Sequence, residues 1–355
     1  MQLKLSTLSV WSGALLCVST AVAAPADMVP NLVVFGNSMS DTGNAMALDP
    51  TLSHFDGRMS NSYLWDEYAA KLLGMQLVNR AYSGASTNNE FSPIRIATNA
   101  TLPSLHDQVS MWLEKKPTKF HLDNDVIEIE IGSNDIFYHM GDLLSGIVDL
   151  PTLASSIAGH IAAEVDALTA AGYKNVFVWN LPSIEKAPLA ATMGSELMVA
   201  PIISAVNTAI GTALAAGSRA QGVHMLDLHS LMNIALEPNV LEALAITDST
   251  TACFDNVKTV DTSEDVPVCS NPDEHFFYDR VHPASRVHYL WGAIASIVTR
   301  DPSAVVGAEE MLALIQEYDI GQSNPQNNII TSGLPSGSSD NGQSNGVPVP
   351  THKCQ

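Results

Sequence analysis

The chain has 355 residues, 46% of them hydrophobic, which is enough to bury a substantial core. Sixteen Lys and Arg stand against 37 Asp and Glu, and the resulting charge of −21 excludes a nucleic-acid partner and disfavours anionic bilayers. The sequence has no Walker or dinucleotide motif, no H-E-x-x-H and no zinc-spaced cysteine pair, so neither a metal nor a cofactor is expected from its 11 His and 4 Cys.

Met1 to Ala24 carries one cation, Lys4, then a mostly apolar run from Leu5 to Val18 and small residues ending Ala21-Val22-Ala23-Ala24. This segment reads as a secretory signal peptide cut near Ala23 or Ala24, with a retained anchor as the alternative. The mature chain is expected to be exported, to the periplasm or the medium. Cys17 follows Leu16 rather than a small residue and is not read as a lipoprotein cysteine. Past the signal, no apolar stretch is expected to reach the ~20 residues of a spanning helix.

Asn31 to Phe35 (NLVVF) is uninterrupted and apolar, as a buried parallel strand requires. Leu64 to Leu73 follows a helical pattern, Gln76 to Ala81 is a second strand, and Leu105 to Lys115 is again helical. Asp125 to Ile131 (DVIEIEI) is a third strand, in which Glu128 and Glu130 suit a sheet edge or a polar cleft. Pro151 to Ala171 is an Ala-rich helix, Asn175 to Trp179 a strand, Pro201 to Ala216 a helix, His224 to Leu228 a strand and Ala284 to Thr299 a closing helix. This βαβα alternation predicts an α/β fold, doubly wound about a mainly parallel sheet. In such a sheet a ligand binds at the carboxyl ends of the strands. From Gly321 onward Ser, Asn, Gly, Gln and Pro dominate, so 321–355 is expected to be a disordered tail and the folded domain to run from about Met28 to Ile320.

Cys253 and Cys269 flank the polar segment Phe254 to Val268. In an oxidising compartment they are expected to pair, a closure worth about 3 kcal/mol. Cys354 is left odd. Asp255, Asp261, Glu264 and Asp265 suit an exposed flap over or beside the site, the alternative being a plain structural staple.

Four short blocks carry chemistry. VVFGNSMSDTGN (Val33 to Asn44) places Ser38 at the end of the first strand, where α/β enzymes keep nucleophiles, although Ser, Gly and Asn also make ordinary turns. YSGAS (Tyr82 to Ser86) brings Gly84, whose backbone can approach a ligand closely. GSND (Gly132 to Asp135) brings Asn134, whose amide can donate to an oxyanion. YDRVHPASRVHYLWG (Tyr278 to Gly292) brings Asp279 three residues before His282, a spacing that can set a carboxylate on one imidazole nitrogen and leave the other to take a serine proton. Alone each block has a structural alternative, but together they supply nucleophile, base, orienter and donors for acyl transfer. His288 is read as packing and His275 as a nearby decoy for the base, while His224, Asp227 and His229 are read as strand and turn residues, not a metal set.

Through these four blocks the chain resembles the SGNH hydrolase superfamily, the GDSL lipases and esterases, over roughly Asn31 to Thr299. VFVWNLPSIEKAP (Val176 to Pro188) is similar to a segment of its secreted bacterial branch. The resemblance implies a three-layer α/β/α sandwich and a Ser38–His282–Asp279 triad. It also implies an oxyanion hole of the Ser38 N–H, the Gly84 N–H and the Asn134 side chain. One departure stands out: the family's G-D-S-L reads Gly36-Asn37-Ser38-Met39 here. The implied function is hydrolysis of lipid acyl esters, of the lysophospholipase or phospholipase A kind. The alternatives are acyl transfer to cholesterol or another alcohol, and a catalytically dead lipid-binding protein on the same fold. Lipid or another ester is the expected partner, and any transient membrane contact would rest on apolar surface or zwitterionic lipid.

Overall fold

The computed structural model describes residues 29–49, 54–96, 100–216, 222–254 and 268–332; the expected signal segment, the acidic residues between Cys253 and Cys269, and Cys354 lie outside them. In chain order the elements are β1 (Asn31–Gly36), α1 (Trp65–Leu73), β2 (Gln76–Asn79), α2 (Leu105–Leu113), α3 (Lys119–Asn124), β3 (Val126–Glu130), α4 (Ser133–Ser145), α5 (Leu150–Ala171) and β4 (Asn175–Trp179). They continue with α6 (Pro188–Met193), α7 (Glu196–Ala216), β5 (Val223–Leu226), α8 (Leu228–Ala235), α9 (Pro238–Ala243), β6 (Asp248–Ala252), β7 (His275–Phe277), α10 (Ser285–Arg300), α11 (Ala308–Glu317) and α12 (Ile329–Ser332).

Strands apolar on both faces need cover on both faces, and of β1 to β5 the inner β1, β3 and β4 have it, whereas β2 and β5 are partly exposed. They form one sheet in the order β2-β1-β3-β4-β5, every pairing parallel. Successive β1 residues point to opposite layers. Leu32 and Val34 join Tyr68 of α1 and Val287 and Ile294 of α10, whereas Val33 and Phe35 join Val109 of α2, Ile157 of α5 and Ile203 of α7. The result is a three-layer α/β/α sandwich. Its strand order reverses between β1 and β3, and at such a point the two flanking loops diverge and leave a crevice beyond the strand ends. The smaller sheet pairs β6 with β7 in parallel, and a Cys253–Cys269 disulfide closes the loop between them.

The structure corrects several expectations. Glu128 and Glu130 lie on the central strand rather than at an edge, and both are buried. Their face of β3 looks toward the α1 and α10 layer, where the Trp179 indole N–H donates to Glu128 at 2.6 Å. α7 is 21 residues long and contains an 18-residue window with a mean hydropathy of 1.7, long and apolar enough to span a membrane, contrary to the reading that no such stretch follows the signal. Here its Val199, Ile202, Ile203, Val206 and Ile210 pack into the core beside α5. The folded part also continues past Gly321. Ile320 is buried against α10 and α11, and Ile329 of α12 is buried beside α1, so composition placed the start of the tail too early.

Burial raises both β3 carboxyls, Glu128 to about 8 and Glu130 to about 7, from 4.5. The native state therefore holds protons that the unfolded chain has lost, and the stability they contribute falls as pH rises from about 4.5 through about 8. Thermal melts of the wild type and Glu128→Gln should diverge between about pH 5 and about pH 8, the variant gaining relative to the wild type. A difference that does not change with pH would refute this protonation state.

Candidate active site

Ser38 follows directly on β1, and its loop is fixed by side chains that take over where sheet pairing stops. Gln108 of α2 clamps Gly36 from both sides, accepting its N–H at 2.9 Å and donating to its carbonyl at 3.0 Å. Asp41 gathers four backbone N–H groups: Gly43 at 2.8 Å, Asn44 at 2.7 Å, Ala45 at 3.0 Å and, from the next block, Ser83 at 2.7 Å. Asn44 then donates to Asn79 Oδ1 at 3.0 Å and to the Ala81 carbonyl at 2.8 Å. The SDTGN run is thus a brace between the ends of β1 and β2.

The Gly84 loop is held from its other side by Asp135, which accepts the Thr87 N–H at 2.9 Å, the Thr87 hydroxyl at 2.7 Å and the Ser92 hydroxyl at 2.9 Å. Gly84 itself has φ +89, and a Cβ there would meet Leu102 Cδ1 at 2.9 Å, so glycine is required. Asn134 stands in the first turn of α4, which starts directly beyond the β3 end. One of its amide hydrogens goes to the Ala85 carbonyl at 2.9 Å, fixing the side chain beside Gly84. GSND opens a 13-residue helix whose positive end faces the same space.

Asp279 and His282 share a tight turn closed by the Tyr278 N–H donating to the His282 carbonyl at 2.8 Å. Asp279 Oδ1 accepts the N–H groups of Val281 at 2.8 Å and His282 at 2.7 Å, and Oδ2 meets His282 Nδ1 at 2.7 Å. The opposite ring nitrogen, Nε2, lies 2.7 Å from Ser38 Oγ. With Nδ1 donating to the carboxylate, Nε2 is left as an acceptor for the serine proton. Burial alone would raise the Asp279 carboxyl, but the His282 charge and hydrogen bonds from His282 and His54 hold it well below the usual carboxylate range. His54 escaped sequence reading: its Nε2 meets Asp279 Oδ2 at 3.0 Å across 225 residues.

Ser38, Gly84, Asn134 and His282 line one cavity of about 480 Å³. Its other walls are mostly apolar, among them Met39, Ile96, Leu102, Phe137, Ile184 and Leu189. A nucleophile, a base and amide donors facing one apolar space can carry acyl transfer. The other histidines weighed in the sequence do not line this cavity. His288 is buried against Trp291, burial lowering it to about 3, and His275 on β7 lies near Thr251 and Asp248. His224 packs on Phe177, His229 faces Glu185, and Asp227 caps α8. Among the described residues no group of three or more His, Cys, Asp or Glu could hold a metal ion.

The family model described as GDSL-like lipase/acylhydrolase matches residues 32–293. Over 179 residues the chain is 30% identical to the thermolabile hemolysin of Vibrio parahaemolyticus, a stretch covering 48% of this chain but only 38% of that protein. Among solved structures, LAE5, an α/β hydrolase from the metagenome of Lake Arreo, Spain, is 14% identical with a TM-score of 0.40, over 76% of this chain and 94% of its own. Axe2, an acetylxylan esterase from Geobacillus stearothermophilus, is 16% identical with a TM-score of 0.39, over 77% and 94%.

Asn37, where the family pattern has Asp, has a physical partner. Its Oδ1 accepts the Met39 N–H at 2.9 Å, and its amide is the polar group facing the Glu130 carboxyl. Neither Glu130 oxygen makes a hydrogen bond of ordinary geometry among the described residues. An aspartate at 37 would set a second carboxyl against this buried one. Asn37→Asp is therefore expected to destabilise the fold at pH 8 by about 1 kcal/mol or more, and Glu130→Gln in the same chain to recover most of the loss. Urea unfolding of the two singles and the double measures the coupling; strict additivity would mean that the two positions do not sense each other.

Proposed function

The chain belongs to the GDSL-like lipase/acylhydrolase family, and from that premise we propose that it is an exported serine esterase that removes acyl chains from phospholipids and lysophospholipids. The observation carrying this reading is the imidazole of His282, 2.7 Å from the Ser38 hydroxyl on one side and 2.7 Å from the Asp279 carboxylate on the other, at the wall of an apolar cavity.

The chemistry follows from those atoms. As Ser38 Oγ attacks the ester carbonyl, its proton passes to His282 Nε2, and Asp279 stabilises the imidazolium that forms. The carbonyl oxygen becomes an oxyanion that the Ser38 N–H, the Gly84 N–H and the Asn134 amide would receive. Collapse breaks the bond to the alcohol, which leaves with the proton from His282, and Ser38 holds the acyl group as an ester. Water then gives a proton to His282 and attacks the acyl-enzyme; the acyl–Oγ bond breaks, the fatty acid leaves, and His282 returns the proton to Ser38 Oγ. An alcohol in place of that water yields a new ester, so acyl transfer is the second reading of the same site.

Three features favour a lipid substrate. The cavity walls are apolar enough for an acyl chain. Phe137, at the cavity, begins a run of exposed apolar side chains along and just beyond α4, with Tyr138, Leu144 and Ile147, suited to transient contact with a zwitterionic lipid surface. The similar Vibrio protein is named a hemolysin, which fits membrane lipid as a target. Export through the apolar N-terminal segment agrees with the Cys253–Cys269 disulfide.

A fluorophosphonate probe should label the wild type and not Ser38→Ala; absence of labelling on the wild type would leave a binding protein. Ser38→Ala and His282→Ala are expected to lose ~10³-fold or more in kcat, and Asn134→Ala ~10²-fold or more. Mass spectrometry of products from mixed phospholipid, lysophospholipid and cholesterol separates free fatty acid from a transferred acyl group. Intact lipids in the presence of active, probe-labelled enzyme would refute the substrate class.

A further inference from the structure

Two histidines hold the Asp279 carboxylate. His54 Nε2 lies 3.0 Å from Oδ2, the oxygen that His282 Nδ1 also meets, while Oδ1 is occupied by the N–H groups of Val281 and His282. The Asp279 side chain is 2% exposed and that of His54 14%, so bulk water contributes little to either. His54 is also fixed from behind. Its N–H donates to the Arg58 carbonyl at 2.8 Å beside the Phe55–Arg58 bridge. Arg58 makes a two-pronged contact with Glu67 of α1, at 2.7 and 2.6 Å. Phe254 and Tyr278 hold the imidazole ring edge-on, with centroids 5.0 and 5.4 Å away. A surface histidine has no need of such a mount.

Resting on the esterase reading and deepening it, we propose that His54 is a positioning residue for Asp279. Its Nε2–H donates to Oδ2, draws off part of the carboxylate charge, and thereby sets how firmly His282 keeps the proton taken from Ser38. With two donors on Oδ2, less negative charge faces His282, and its imidazolium returns the proton to the leaving alcohol more readily. Without His54 the imidazolium is stabilised more, and the neutral base is reached only at higher pH. Other ionisable groups around this pair are Glu130 and His288 on the His282 side, Asp49 and Arg95 in the same cavity wall, and Tyr278 and the Arg58–Glu67 pair on the His54 side. All of these side chains are retained in a variant changed at position 54 alone.

The test uses the full chain and a short-chain p-nitrophenyl ester. His54→Leu is expected to move the acid limb of the kcat/KM profile to higher pH. It should also lower kcat about 10-fold with KM little changed, the scale of one hydrogen bond to a charged group. His54→Gln, which keeps an N–H donor, should restore both, and a general packing defect would not produce that rescue. His54→Asn, too short to reach Oδ2, serves beside the Leu variant in case the latter fails to fold, and is expected to shift the acid limb in the same direction. An acid limb and kcat unmoved in the folded variants, with Ser38→Ala inactive, would overturn the role of His54. Turnover surviving in Ser38→Ala would instead overturn the esterase reading beneath it.

Discussion

Backbone N–H groups in loops at the ends of parallel strands have no sheet partner, and in a buried crevice they have no water either. This chain answers that constraint with aspartates. Asp41, Asp135 and Asp279 each accept loop N–H groups, four, one and two respectively, and each links a loop to something beyond it. Asp41 ties the Ser38 loop to the Gly84 loop, Asp135 ties the Gly84 loop to α4, and Asp279 orients His282. The groups proposed to act in catalysis come from loops far apart in the chain, and these carboxylates convert them into one rigid arrangement. Preorganisation of this kind lets donors meet a developing oxyanion without first rearranging.

The strand-order reversal supplies the space in which they meet. β1 and β3 are neighbours, so Ser38 and Asn134 emerge side by side, and α10 delivers His282 from the layer on the opposite side to α2 and α5. Asn37 and Glu130 show how closely this crevice is fitted. Gly36 pairs with Glu130 across β1 and β3, and the residue that follows Gly36 is an amide where two acids would otherwise confront each other.

Much of this was legible in the sequence. The five strands of the main sheet and their alternation with helices follow from uninterrupted apolar runs, and Ser38, Gly84, Asn134 and His282 fall after strands or before a helix in recognisable blocks. What escaped did so for definable reasons. Alternating Glu and Ile in β3 has the pattern of a half-exposed strand, and only the covering α1 and α10 layer shows that both faces are dry. His54 had no signal, because its partner lies 225 residues away and its surroundings read as an ordinary loop. A Ser, Asn and Gly-rich composition after Ile320 outweighed Ile329, a buried side chain that helps to anchor a short segment.

That segment also bears on where the molecule can be shortened. Arg286, in the first turn of α10, donates to the Ser323 carbonyl at 3.0 Å and to those of Leu244 and Ala245 at 3.2 and 3.1 Å. Gly321 lies so close to the Ala243 carbonyl that a Cβ would come within 2.3 Å of it. The strap after α11 therefore stitches α9 to the start of α10, just downstream of the imidazole base. A chain cut at residue 320 would keep every chemical group yet lose the stay that steadies one of them, whereas a cut after 332 would spare it.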